Sequence, residues 1–168
     1  MYAAGRGVTA SDKEAVQWYR KAAEHNHAEA QYNLAVRYLS GRGTLPSAEE
    51  AFAWFGKAAE QGLGLAQLHL GRLYAEGKGT TRNDAEAVKW YRRAADQNLP
   101  LAQYYLGRMY ADGRGVARDE RESLQWYRRA ADQNLPLAQL ELANGYLSGR
   151  GVERDETRGI QLLGQAAA

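Results

Sequence analysis

The four tryptophans of this chain, Trp18, Trp54, Trp90 and Trp126, stand thirty-six positions apart, and no other feature restricts the fold so strongly. A period of that length belongs to arrays of small supersecondary units stacked in a row. Other marks keep the same step. A Gly-basic-Gly triplet recurs at Gly5-Arg6-Gly7, Gly41-Arg42-Gly43, Gly77-Lys78-Gly79, Gly113-Arg114-Gly115 and Gly149-Arg150-Gly151. An Ala-Gln pair recurs at Ala30-Gln31, Ala66-Gln67, Ala102-Gln103 and Ala138-Gln139, followed by Leu34, Leu70, Leu106 or Leu142. The run from Trp90 to Gln103 returns unchanged from Trp126 to Gln139, which points to duplication.

Each period carries the punctuation of two helices. Ser11, Ser47, Asn83, Asp119 and Asp155 are N-cap residue types at equivalent positions. Glu14, Glu50, Glu86 and Glu122 stand three residues on, which predicts a capping box in which cap side chain and Glu each satisfy a backbone donor. The last unit has Arg158 there, so its helix is expected to fray. The first helix of each pair ends near Asn26, Gly62, Asn98 and Asn134, residues that accept a left-handed cap. A second helix starts at once, with Pro100 and Pro136 in its first turn, and stops at the glycine triplet. We name the helices B (for example 119 to 133) and A (for example 100 to 112). On B, Ala15, Trp18, Tyr19, Ala22 and Ala23 follow the three-and-four spacing of a buried stripe, and so do Ala51, Trp54, Phe55, Ala58 and Ala59. On A, Ala102, Leu106 and Tyr110 share one face, while Gly107 and its equivalents Ala35, Gly71 and Ala143 permit close helix approach. An isolated pair cannot bury these stripes, so neighbouring pairs must stack.

The recurring string Ala-x-x-x-Leu-Gly-x-x-Tyr, Gly-x-Gly-Val, Asp and Trp-Tyr-x-x-Ala-Ala resembles the Sel-one-like repeat family, a relative of the tetratricopeptide repeats, over essentially the whole chain. The departures are Thr44 and Thr80 after Gly-x-Gly, Gly145 at an apolar helix position, and Leu162-Leu163 in place of Trp-Tyr. The resemblance implies an all-α, right-handed superhelix that acts as a scaffold or adaptor for other proteins, frequently in bacteria. The chain is expected to be one repeat domain over 1–168, with a partial repeat 1–26, repeats 27–62, 63–98 and 99–134, and a terminal repeat 135–168. It opens within an A helix at Met1-Tyr2 and ends on a B helix at Ala168. Flanking sequence or another molecule is therefore expected to cap these ends, and bare apolar surface around Trp18 and Tyr19 favours end-to-end self-association.

Several kinds of chemistry find no support. No cysteine is present, which excludes disulfides and a thiolate nucleophile and leaves both bacterial cytoplasm and periplasm open. No stretch approaches the roughly 20 apolar residues of a membrane span, and no signal segment is visible, so a soluble chain is expected. His25 and His27 flank a helix end, and with His69 they do not make a ligand set; neither metal nor cofactor is expected. None of Ser11, Ser40, Ser47, Ser123 and Ser148 has the Ser-x-x-Lys spacing of a β-lactam-reactive serine. The basic residues Arg6, Arg42, Lys78, Arg114 and Arg150, with Arg118 and Arg154 nearby, are expected to form a ladder along one edge. A net charge of +2 and the acids of the adjacent caps weigh against nucleic acid as its partner.

Positions that vary between repeats while facing outward are the binding candidates. By analogy with tetratricopeptide repeats the concave lining comes from helix A, which offers Tyr32 and Asn33, then His69 and Arg72, then Tyr104, Tyr105 and Arg108, then Glu141 and Asn144. Leu65, Leu68, Leu101, Leu137 and Leu140 on the same stripes are expected to fill gaps between adjacent A helices. Arg72 and Arg108, equivalent positions with Glu76 and Asp112 four residues on, are expected side by side at roughly 10 Å. The function expected is a non-enzymatic scaffold holding a partner protein or peptide, acidic in character, against these residues. A bacterial immunity protein that masks an effector enzyme is the alternative that the resemblance suggests. An enzyme acting on cell-wall or β-lactam substrates ranks below both.

Overall fold

The computed structural model describes residues 11–167; the Met1-Tyr2 opening, the Gly5-Arg6-Gly7 triplet and Ala168 lie outside the described residues. Among the described residues every element is an α-helix. The B helices are α1 (Asp12–Glu24), α3 (Ala48–Glu60), α5 (Asp84–Asp96), α7 (Glu120–Ala131) and α9 (Glu156–Ala166). The A helices are α2 (Ala28–Ser40), α4 (Gly64–Glu76), α6 (Pro100–Asp112) and α8 (Pro136–Ser148). The expected A helix over 100 to 112 is found residue for residue, whereas the B helix over 119 to 133 is shorter at both ends, with Asp119 outside it as the N-cap and Asp132 as the C-cap.

The caps form as their residue types require, with one correction. The side chains of Ser11, Ser47, Asp119 and Asp155 accept the backbone N–H of Glu14, Glu50, Glu122 and Arg158. The reciprocal half of the capping box is absent where it can be followed. The N–H groups of Ser47, Asp119 and Asp155 donate to the carbonyls of Tyr38, Tyr110 and Tyr146 at the end of the preceding A helix. The chain folds back so tightly after each glycine triplet that a backbone acceptor already serves the cap. The carboxylates of Glu50 and Glu122 are thereby free to accept the indole N–H one turn on, from Trp54 at 3.2 Å and Trp126 at 2.9 Å. In the final helix, where Arg158 takes the place of the Glu, the Asp155 cap bond forms and Arg158 lies 4.9 Å over the Tyr146 ring.

The chain divides into two compact units after Asn83. In the first, α1 to α4 pack as consecutive neighbours, and in the second α5 to α9 do the same. The core of the second unit gathers Tyr104, Leu124, Tyr127, Leu142 and Tyr146 around small residues such as Ala130 and Ala138. Gly107 makes the close approach expected of it, because a Cβ there would stand 2.8 Å from the Tyr127 ring. Burial of the B stripe is uneven. Trp54 and Trp126 are 8% and 4% exposed and Trp90 is half-buried, but Trp18 is 53% exposed, departing from the buried stripe of α1 and agreeing with the bare apolar surface expected there. None of the described helices is long and apolar enough to cross a membrane.

Candidate functional site

The second unit holds a cavity of about 670 Å³ between α6, α7 and α8. Tyr104 and Tyr127 line it, with Arg108 and Asp112 on α6 and Glu141 on α8. Burial raises the pKa of both phenols, and the Glu141 carboxylate raises them further, while Arg108 acts in the opposite sense. Arg108 does not form the expected ion pair with Asp112; its guanidinium turns to Tyr104, 6.0 Å from the ring centroid, and Asp112 acts on it only through space. Tyr104 is buried, packed edge-on against Tyr105, and the half-buried Tyr105 stacks on Tyr91 at 5.3 Å. Arg118 and Arg150, with Glu120, complete the rim.

The first unit has a separate aromatic cluster. His69 on α4 stacks flat on Phe55 at 4.8 Å and tilts against Tyr32, whose hydroxyl stands 3.5 Å from its Nε2. Arg72 stands 3.5 Å from the other ring nitrogen. Its Nε is buried, with Glu76 at 3.8 Å as the ion-pair partner expected but beyond hydrogen-bond reach. Burial first, and then the Arg72 charge, push His69 down to about 4. The ring is therefore neutral in the folded state, whereas in the unfolded chain it binds a proton near the ordinary histidine value of 6.5. Its contribution to stability is complete above pH 6.5 and is lost as the pH falls towards 4. Allowing for solvent screening of a half-buried ring, the loss is about 2 kcal/mol. Urea midpoints measured from pH 7 to 4.5 should fall more steeply for the parent than for His69→Phe. Parallel curves would mean that the ring is freely protonated in the fold.

Arg72 and Arg108 belong to different units, and each stands with the neighbours just described. Asn33 is half-buried on α2, Glu141 half-buried and Asn144 exposed on α8. Leu68 is buried as expected of a gap-filler, but Leu65, Leu101, Leu137 and Leu140 are exposed. The expected basic edge is largely neutralised, because most of its arginines find an acid at the start of a B helix. Arg42 pairs with Asp12 at 3.3 Å and Arg114 with Asp84 at 2.7 Å. Arg118 pairs with Glu120, and Arg154 with Glu156. His25 caps the end of α1 and His27 the start of α2. Among the described residues no group of three or more His, Asp or Glu could hold a metal ion.

The pattern of the Sel1 repeat family matches five consecutive segments, residues 1–27, 28–63, 64–99, 100–135 and 136–168. The chain belongs to the Sel1 repeat family. Solved Sel1 repeat structures superpose closely. The Escherichia coli protein c5321, a protective antigen present in uropathogenic strains and displaying an SLR fold, is 42% identical with a TM-score of 0.95. That match covers 99% of this chain and 36% of the Escherichia coli protein, so this chain spans little over a third of it. A Sel1 repeat protein from Oxalobacter formigenes is 38% identical with a TM-score of 0.95, over 99% of this chain and 68% of that one. The immunity protein Pa5087 from Pseudomonas aeruginosa is 20% identical with a TM-score of 0.50, over 95% of this chain and 76% of that one; this likeness extends to the fold alone. No curated protein matches the chain.

One set of side chains recurs through the Sel1 repeats of this chain without having been assigned a task from the sequence. Gln31 and Gln103, 1% and 2% exposed, donate to the carbonyls of Ala23 and Ala95 at the end of the preceding B helix and to the side chains of Asn26 and Asn98. Gln61 and Gln133, from the next B helix, then donate to Gln31 and Gln103 at 2.7 and 2.9 Å. Each buried amide thus ties two B-helix ends to the A helix between them and leaves no polar group stranded. The signal was there in the strict Ala-Gln pairs, since a buried position that keeps Gln rather than Leu in four copies points to a hydrogen-bonding reason.

Proposed function

We propose that this chain is a protein-binding module that engages a partner through side chains of its A helices, rather than an enzyme. The observation that carries the reading is a division of labour within the repeat. Residues that recur, such as Ala66, Leu70, Ala102 and Leu106, are buried. Residues that differ at equivalent A-helix positions, such as Asn33, His69, Tyr105 and Glu141, reach the surface or a cavity. Duplication copies what the fold needs, so departures from the copy are where a particular partner can be recognised. Tyr and Arg, present here as Tyr105, Arg72 and Arg108, are the side chains that most often anchor protein interfaces. Sel1 repeat proteins generally mediate protein–protein interactions, which supports the same reading.

Photo-crosslinking tests it. A benzophenone side chain placed singly at Asn33 or Asn144 on A helices, or at Lys13 or Lys89 on B helices, should yield a discrete protein adduct in source-cell extract only from the A-helix positions. Adducts from the B positions alone would move the interface to the other face. No adduct from any position would remove the reading.

A further inference from the structure

Three departures from the repeat converge on the cavity of the second unit. Ser123 stands where the other B helices have Ala15, Ala51 and Ala87, and its side chain is hydrogen-bonded to Tyr127. Glu141 replaces Asn33, His69 and Tyr105, and Gly145 replaces Arg37, Leu73 and Met109. Leu73 and Met109 are buried, whereas at Gly145 the space is taken by Leu124, whose Cδ2 would stand 2.5 Å from an added Cβ. A fourth departure is one of pairing. The triplet arginines Arg42 and Arg114 each bond the acid thirty residues earlier, Asp12 and Asp84. Arg150 has Glu120 at that distance, but Glu120 is held by Arg118 at 2.5 Å. Arg150 is left with its Nε on Ser148 Oγ at 3.2 Å, and among the described residues no carboxylate pairs with it. Glu141 likewise pairs with no cation among them; it lines the cavity with Tyr104 and Tyr127, and its charge raises the pKa of both phenols.

From this we infer that the cavity is a binding site for a dipolar peptide segment of the partner, one that sets a basic side chain against Glu141 and an acidic one against Arg150. The inference rests on the protein-binding reading and sharpens it. Arg108 and Asp112, which also line the recess, offset each other's charge through space. The unpaired Glu141 and Arg150 are complemented by a ligand that carries both charges, whereas a purely acidic segment leaves Glu141 opposed by like charge. Arg150 offers a planar fork suited to a carboxylate. Glu141, in a recess that Tyr104 and Tyr127 also line, offers acceptors to an ammonium or guanidinium. The volume lies within the range of pockets that enclose small ligands and holds a segment of a few residues.

The probes are four capped octapeptide pools built from Gly, Ser and Tyr, containing Lys and Asp together, Lys alone, Asp alone, or neither. Binding to the full chain is read from amide NMR shifts. The Lys-plus-Asp pool should bind at least tenfold more tightly than any other, shifting Gly145 and Ala111 at the cavity. Glu141→Gln should abolish the advantage conferred by Lys, and Arg150→Gln that conferred by Asp, with thermal midpoints unchanged because neither group belongs to the core. Equal binding of the Asp-only pool would overturn the inference in favour of an anion site, and so would binding away from the cavity or none at all. If the peptides fail while A-helix crosslinks to a partner persist, the dipolar site falls and the protein-binding reading stands.

Discussion

Replacement of Trp126 by alanine should cost the second unit about 4 kcal/mol, the range for deleting a large buried aromatic ring. Trp126 is 4% exposed, its indole N–H donates to Glu122 at 2.9 Å, and Arg129 lies 4.4 Å over its ring. Truncation opens a cavity and leaves the Glu122 carboxylate without that donor. The repeat supplies its own controls. Trp18, equivalent in sequence but 53% exposed, should cost about 1 kcal/mol or less when replaced, and half-buried Trp90 should fall between. Urea unfolding followed by far-UV circular dichroism, which does not depend on the lost fluorophore, reads all three. Equal effects at Trp18 and Trp126 would contradict the burial gradient.

Gly115→Ala should lower stability by about 3 kcal/mol or more, although it adds a single methyl group at a turn. The residue has φ +69°, where an L side chain is strained by about 1 kcal/mol. A Cβ there would also stand 2.2 Å from the carbonyl oxygen of Asp84. The obstacle is backbone at the first turn of α5, so relief requires the turn and the helix to separate. Separation would also break the ion pair of Arg114 with Asp84 at 2.7 Å. Gly164→Ala provides the contrast. That glycine lies inside α9, and a methyl group added to it would meet nothing within 4 Å, so alanine there should stabilise by up to about 1 kcal/mol. A Gly115→Ala midpoint within about a degree of the parent would show that the turn can open at little cost.

The repeat period, the helix boundaries and the alternation of A and B helices were legible in the sequence because each is set by local chemistry. Caps, left-handed asparagines such as Asn26 and Asn98, and three-and-four spacing act within a few residues and repeat with the chain. The family followed from the same strings. Contacts between non-adjacent segments were not legible, because spacing along the chain does not tell which neighbour reaches a side chain first. Glu50 and Glu122 sit where a capping box needs them, yet the cap N–H is taken by the preceding A helix and the carboxylates go to Trp54 and Trp126. The second glycine of each triplet reads as turn chemistry until Gly79 and Gly115 are seen against the backbone of Ala48 and Asp84. The candidate site divides in the same way. Helix periodicity alone placed Tyr104, Arg108 and Glu141 on outward A-helix stripes. The tertiary structure buried Tyr104, exposed four of the five leucines meant to fill gaps, and left Arg150 without an acid such as Arg42 and Arg114 hold. That last outcome depends on competition between Arg118 and Arg150 for one carboxylate, which only their positions in space decide.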